Sequence, residues 1–84
     1  MYELKIAGRV LKRLKRLPPK HRRQVWERIQ SLQENPRPQD HKKLKGVEGY
    51  RVTMGEYRVL YTIDDQAQAV TAYLLFHRGE GYPR

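Results

Sequence analysis

The stretch GYRVTMGEYRVLYTI, residues 49–63, decides the fold of this chain. Polar and apolar residues alternate on both sides of Gly55-Glu56, which predicts two β-strands joined by a two-residue loop. Glycine at the first central position of such a loop favours a type II′ hairpin turn. The turn also sets the register of the hairpin, in which Met54 faces Tyr57 and Thr53 faces Arg58.

The two faces of this hairpin differ in chemistry, because successive side chains of a strand point to opposite sides of the sheet. The first face is apolar and is predicted to pack against helices; it carries Tyr50, Val52, Met54, Tyr57, Val59 and Tyr61. The second face is predicted to stay uncovered, and it carries Arg51, Thr53, Arg58 and Leu60. We call this second side of the sheet the open face.

Two arginines of the open face, Arg51 and Arg58, have no acidic residue opposite them in this register. Like charges on neighbouring strands destabilise a sheet, and the planar guanidinium matches the oxygens of a phosphate. The pattern therefore indicates an anion-binding surface. The alternative is that both arginines are solvated or paired with a glutamate; the candidates are Glu48, Glu56 and Glu80.

The chain after the hairpin predicts a third long strand. DDQA at 64–67 is expected to form the turn, and QAVTAYLLFH at 68–77 is expected to form the strand. A four-residue turn of this kind places Tyr73 opposite Arg58.

The same register brings the polar end of this strand towards the arginines. It puts Leu75 and His77 on the open face, with Arg78 and Tyr82 following where the strand ends. A histidine after a strand is either a capping residue or an acid–base group, and the pattern alone leaves both open.

The residues before the hairpin predict a strand and two helices. YELKI at 2–6 alternates as a strand does, and GRVLKRLKRL at 8–17 has the spacing of a basic amphipathic helix. Pro18-Pro19 ends that helix and opens a second one, which is expected to run to about Glu34. The predicted buried stripe of the second helix is Val25, Trp26, Ile29 and Leu32. The order β-α-α-β-β-β predicts a single α+β domain over 1–84, with a helical hairpin on one face of a mostly antiparallel sheet.

Charge is the most informative feature of the composition. The net charge is +9 and the isoelectric point is near 10.2. Residues 1–45 hold 14 Lys/Arg against 4 Asp/Glu, whereas residues 46–84 hold 4 against 5. This asymmetry indicates a nucleic-acid partner for the basic half. A chain without cysteine, with three scattered histidines and a mean hydropathy of −0.93, is expected to be cytoplasmic, with neither a membrane span, a metal site nor a cofactor.

Two segments, KLKGVEGYRVTMGEYRVLYTI at 43–63 and HRGEGYPR at 77–84, resemble the RelE/ParE superfamily of bacterial type II toxins. The likeness spans essentially the whole chain. The ending H-R-x-E-x-Y resembles the ribosome-dependent mRNA interferases of the RelE branch. That branch implies an endoribonuclease that cleaves translated mRNA in the ribosomal A site, by attack of an RNA 2′-hydroxyl on its own phosphodiester and without a metal.

The resemblance also implies a set of site residues. The catalytic residues that it implies are Arg51, Arg58, His77, Arg78 and Tyr82. Arginine is expected to stabilise phosphorane charge, His77 to act as acid or base, and Tyr82 to act as a base or to stack on the RNA. The expected RNA-binding residues are Lys42, Lys43, Lys45, Thr53 and Tyr73. Thr53 stands where the family has a second lysine, and Gly81 precedes Tyr82 where a bulkier residue is common, which points to weaker catalysis.

The resemblance implies two kinds of partner. One is a cognate antitoxin, expected to lay an acidic amphipathic helix along the grooves of the toxin and to mediate any contact with operator DNA. The other is the ribosome with its mRNA. The alternatives are a ParE-like inhibitor of DNA gyrase without nuclease activity, and a catalytically weak RNA-binding relative.

Overall fold

The computed structural model describes residues 1–81, and it contains a five-stranded sheet with two helices on one side. In chain order the elements are β1 (Glu3–Ile6), α1 (Gly8–Arg16), α2 (Pro19–Ser31), β2 (Lys42–Lys43), β3 (Tyr50–Met54), β4 (Tyr57–Asp64), β5 (Ala69–His77) and a 3₁₀ turn (Arg78–Glu80). The sheet order is β1-β5-β4-β3-β2, with β1 parallel to β5 and the other pairs antiparallel. The predicted α+β fold is confirmed, with β2 as an addition that the sequence pattern did not indicate.

The β3–β4 hairpin has the predicted register. Met54 pairs with Tyr57, and Thr53 pairs with Arg58. Gly55 has a φ of +59°, the left-handed conformation that the first central residue of a type II′ turn requires. Local turn chemistry therefore fixes which side chains share each face of the hairpin.

The predicted register of β5 is wrong, for two reasons. First, Asp64 belongs to β4 and pairs with Ala69, so the connecting loop is 65–68 rather than 64–67. The Asp64 carboxylate accepts a hydrogen bond from the Ala67 N–H (3.0 Å), and Gln68 closes the loop with a φ of +53°. Second, a β-bulge follows in which Tyr73 is the extra residue of β5.

The shifted register changes which residues of β5 face the arginines. Arg58 pairs with Phe76 rather than with Tyr73. Leu75 pairs with Val59 and His77 pairs with Tyr57, so both lie on the helix-covered face. The prediction that they lie on the open face is therefore wrong.

The core lies between the helices and one face of the sheet. Val25, Ile29 and Leu32 are buried as predicted, whereas Trp26 is half-buried and packs at the edge of the core. Helix α2 ends at Ser31, three residues before the predicted end, and a turn follows. The buried residues contributed by α1, by the residue that follows it and by the sheet are Val10, Leu14, Leu17, Val52, Val59, Tyr61, Val70, Ala72 and Leu75. No helix within residues 1–81 has the length and apolar character needed to cross a membrane.

Candidate active site on the open face

The open face presents two rows of side chains that run across the strands, because residues paired in register share a face. The first row is Lys42, Arg51, Leu60 and Leu74. The second row is Thr53, Arg58 and Phe76. Arg51 and Arg58 occupy diagonal positions on adjacent strands, where residues lie about 7–8 Å apart and long side chains can meet. The structure thus places Arg51, Thr53 and Arg58 on one face, as the hairpin pattern predicts, and β2 adds Lys42 beside Arg51.

The surroundings of the two arginines are unusual for a pair of like charges. Within residues 1–81 neither Arg51 nor Arg58 forms an ion pair; Glu56 is paired with Arg78, and Glu80 with Arg13. Both side chains are only partly exposed, and the Arg51 Nε–H is buried without a hydrogen-bond acceptor among the described residues. A buried donor left in this way costs about 1–3 kcal/mol. An anion bound on the open face could accept a hydrogen bond from this N–H.

The floor between the arginines is apolar. Leu60 and Phe76 are 1% and 6% exposed, although both belong to the open face. Apolar neighbours lower the local dielectric constant and so strengthen the attraction between a guanidinium and a phosphate. The site therefore combines cationic side chains with a water-poor base.

Arg78 lies at the tip of the β3–β4 hairpin. Its backbone N–H donates to the Glu56 carbonyl (2.8 Å), and its Nε pairs with the Glu56 carboxylate (2.6 Å). Both side chains of this pair are more than half exposed. Arg78 is therefore at the same end of the sheet as Arg58, held by a contact that an anion can displace at small cost.

His77 acts as the cap of the 3₁₀ turn. Its Nδ1 accepts a hydrogen bond from the Gly79 N–H (2.9 Å), while the Glu80 carboxylate accepts one from the His77 N–H (2.8 Å). The imidazole also stands edge-on to the Tyr57 ring, with centroids 5.4 Å apart. Nδ1 is thus engaged in the cap, which leaves Nε2 as the nitrogen able to exchange a proton.

Glu80 ties this turn to helix α1. Its carboxylate accepts hydrogen bonds from both terminal nitrogens of Arg13, at 2.6 and 3.3 Å. The Arg13 hydrogen bonds, followed by the bond from the His77 N–H, hold the pKa of Glu80 below its ordinary value. This contact joins residues 67 positions apart, and no local sequence signal indicates it.

The remaining predicted site residues are dispersed. Lys43 pairs with Tyr50 and so belongs to the helix-covered side of the sheet edge, and Lys45 lies in the exposed bend after β2. Tyr73 reaches towards the start of β3, because a Cβ built on Gly49 would come within 3.3 Å of the Tyr73 hydroxyl oxygen. Tyr82 lies outside the described residues.

Gly49 is a position that the sequence pattern did not single out. Its φ is +128°, and a Cβ there would lie only 2.8 Å from the Tyr61 carbonyl oxygen. Any larger residue would therefore push β3 away from β4 next to Arg51. In the sequence, the feature that could have indicated this close approach is a glycine directly before the first residue of the predicted strand, between Glu48 and Tyr50.

A second surface lies on the other side of the molecule, between the helices. An open groove of about 460 Å³ has an apolar base that includes Leu11, Leu14, Pro19 and Trp26. Leu11 is 43% exposed, and the rim carries Lys15, Arg22 and Arg23. An apolar groove with a cationic rim suits an amphipathic helix that carries acidic residues.

Comparisons with known proteins agree on one family of toxins. The sequence profile of the ParE toxin of type II toxin–antitoxin systems, parDE, matches residues 4–82. The predicted toxin RelE1 of Methanocaldococcus jannaschii is 44% identical over 66 residues, which cover 74% of this chain and 73% of that protein.

Solved structures agree with this match. The RelE–RelB complex from Pyrococcus horikoshii OT3 contains a chain that superposes with a TM-score of 0.83 at 31% identity, over 95% of this chain and 98% of that one. A chain of the RelBE2 toxin–antitoxin complex from Mycobacterium tuberculosis gives a TM-score of 0.79 at 29% identity, over 92% and 98%. The chain therefore belongs to the RelE/ParE superfamily of type II toxin–antitoxin toxins.

Proposed function

We propose that this toxin is an mRNA interferase, a metal-independent endoribonuclease that cleaves translated mRNA in the ribosomal A site. The observation that carries the proposal is the pair Arg51 and Arg58 on the open face, two guanidinium groups without an acidic partner among residues 1–81. A surface that only had to be soluble would gain nothing from this arrangement. A phosphodiester would satisfy both charges and the Arg51 Nε–H.

The proposed reaction is attack of an RNA 2′-hydroxyl on the adjacent phosphorus, with departure of the 5′-oxygen. Arg51 and Arg58 stabilise the negative charge that develops on the phosphorane oxygens. Arg78 leaves Glu56 and binds the phosphate on the side of the leaving oxygen. Since arginine stays protonated at any relevant pH, all three contribute charge and hydrogen bonds rather than protons.

The proton transfers are assigned to His77 and Tyr82. His77 can use only Nε2 while the cap is formed, and its position on the helix-covered face requires the RNA to pass around the end of β5. Tyr82 follows Gly81 and is the proposed base, or the platform on which a nucleobase stacks.

RNA binding is assigned to the surface around these residues. Lys42 extends the cationic row of the open face by one strand, and Thr53 offers a hydroxyl beside Arg58. Lys43, Lys45 and Tyr73 are proposed as further contacts to the RNA from the β2 edge and the bulge.

The partners follow from the two surfaces. The cognate antitoxin is proposed to place an acidic amphipathic helix in the groove between α1 and α2, through which the complex would reach operator DNA. The basic helices are also proposed to contact ribosomal RNA in the cytoplasm, so antitoxin and ribosome would compete for them.

The proposal is tested by mapping RNA 5′ ends on a translated mRNA after induction, for wild type and for Arg58→Ala. The same comparison is made in a reconstituted ribosomal reaction with intact ribosomes and a chelator. We expect cuts within the message that survive the chelator and that fall by about 100–1000-fold in the variant. Lys5→Gln removes one cation from β1 and serves as the control that should cleave as wild type.

Two results would contradict the proposal. Growth arrest with intact mRNA and inhibited supercoiling would favour the ParE-like alternative, inhibition of DNA gyrase. Full cleavage by Arg58→Ala would remove the open face as the site of reaction.

A further inference from the structure

The 3₁₀ turn that carries Arg78 contributes no side chain to the core. None of its three residues, Arg78 to Glu80, is buried. Its hydrogen bonds and ion pairs run to the hairpin tip on one side and to α1 on the other. The place of Arg78 is therefore set by hydrogen-bond geometry rather than by packing.

Glu80 is the centre of these contacts. Its carboxylate caps the turn through the His77 N–H at 2.8 Å and binds the Arg13 guanidinium at two points. The two-point geometry fixes the orientation of the carboxylate as well as its distance. Helix α1 packs on β5 and buries Val10 and Leu14, so its position is fixed by the core. Arg13 on this helix therefore gives Glu80 a partner whose backbone position is fixed.

We infer that Arg13 and Glu80 form a positioning pair, which holds the 3₁₀ turn against helix α1 so that Arg78 is presented to the scissile phosphate. This inference rests on the proposed RNA cleavage and adds two residues to it, one of them on a helix remote from the open face. Neither side chain is a catalytic residue, since both act through the turn.

The energetics separate positioning from stability. The side chains of Arg13 and Glu80 are 30% and 48% exposed, and exposed ion pairs contribute little to folding. By contrast, misplacement of a catalytic group by about 1 Å can cost on the order of 100-fold in rate. Loss of the pair should therefore slow the reaction far more than it lowers the melting temperature.

The test measures single-turnover cleavage on programmed ribosomes for wild type, Glu80→Gln, Arg13→Gln and the double variant. We expect each single variant to lower the maximal rate by about 10–100-fold. The ribosome concentration that gives half-saturation should stay within about threefold of wild type, because the pair positions Arg78 and does not bind the substrate itself. The melting temperature should change by less than about 5 °C. The double variant should be no slower than the worse single variant, because both changes break one contact.

Two further variants make the test specific. Arg13→Lys keeps the charge but loses the two-point contact, and it should recover only part of the rate. Glu34→Gln makes the same charge change as Glu80→Gln at an exposed position after α2, and it should cleave as wild type. Additive losses in the double variant, or a change confined to half-saturation, would show that the two residues act separately or bind RNA directly.

The outcomes distinguish this inference from the proposed function. Cleavage by wild type with unchanged rates in Glu80→Gln and Arg13→Gln would overturn the positioning pair and leave the interferase proposal standing. Absence of cleavage by wild type would overturn both.

Discussion

Replacement of Arg51 by methionine should make the isolated toxin more stable and less active. Methionine keeps much of the length of the arginine stem, but it removes the charge and the buried Nε–H that has no acceptor within the described residues. Removal of an unsatisfied buried donor recovers about 1–3 kcal/mol, from which the loss of packing and of partial hydration must be subtracted. The repulsion from Lys42 and Arg58 on the same face is relieved as well.

The net gain expected for Arg51→Met is therefore about 1 kcal/mol in the free energy of unfolding. For a domain of this size that corresponds to a rise of about 4–8 °C in the melting temperature. Cleavage should fall by about 100–1000-fold, because one charge-stabilising group is lost. Thermal melts of the isolated toxin and cleavage on programmed ribosomes measure the two effects on the same preparations.

Thr53→Val is the matched control for the stability change in Arg51→Met. It also makes an open-face residue of β3 apolar, but it removes neither a cation nor an unsatisfied donor. A melting temperature for Arg51→Met at or below that of wild type would refute the idea that burial of the Arg51 Nε–H lowers the stability of the isolated toxin. Undiminished cleavage would refute its role in the reaction.

Three further perturbations test single residues in other parts of the structure and at the edge of the open face. The pKa of Asp65 is lowered to about 2 by its hydrogen bonds from Arg37 and from Tyr2. The stability that the ionised carboxylate contributes is therefore complete above the ordinary pKa of 3.8 and is lost as the pH falls towards 2. Over this pH window the melting temperature of Asp65→Asn should fall less steeply than that of wild type. Gln68→Gly should raise the free energy of unfolding by up to about 1 kcal/mol in denaturant titrations, because Gln68 has a φ of +53°; a loss of stability would contradict the loop assignment. Lys42→Gln should reduce the slope of log Kd for single-stranded RNA against log salt by about 0.7, and more than Lys43→Gln does, because only Lys42 is in register with Arg51.

The β3–β4 hairpin could be predicted in full because its determinants are local. Gly55 at the first position of a two-residue loop leaves one good turn geometry, and the alternation of residues 50–61 then assigns every side chain to a face. The helices were predictable for the same reason, from the spacing of apolar residues and from Pro18-Pro19. The shared face of the candidate site residues on the hairpin, Arg51, Thr53 and Arg58, was therefore predictable from the sequence.

The register of β5 could not be predicted because it depends on non-local geometry. The loop moved by one residue when Asp64 remained in β4, which changed the pairing partners in β5 but not the faces of its side chains. The one-residue bulge at Tyr73 then moved His77 to the helix-covered face. A bulge leaves no mark in the alternation of AVTAYLLFH, where apolar residues occupy both faces. The contact between Arg13 and Glu80 was equally hidden, because it depends on how α1 packs against β5.

The two surfaces of the toxin lie on opposite sides of the sheet, and this separation constrains how an antitoxin can neutralise it. A helix in the groove around Leu11 covers α1 and α2 but leaves the cationic rows of the open face uncovered. An antitoxin segment limited to that groove should therefore bind the toxin without blocking access of RNA to Arg51 and Arg58. Inhibition needs a further segment that crosses to the open face or to the 3₁₀ turn.

A truncation series of the cognate antitoxin tests this separation. Binding of each fragment to wild type and to Leu11→Glu is measured by calorimetry, and cleavage is measured in parallel with each fragment at saturation. Leu11 is 43% exposed, so glutamate can be placed there with little effect on folding while it puts a charge into the apolar groove. The shortest fragment that loses affinity for Leu11→Glu should leave cleavage by wild type nearly intact, and longer fragments should abolish it. Complete inhibition by that shortest fragment would contradict this separation, because it would show that binding in the groove is enough to inactivate the site. The contact of α1 with the 3₁₀ turn through Arg13 and Glu80 would then be the first candidate for transmitting the effect.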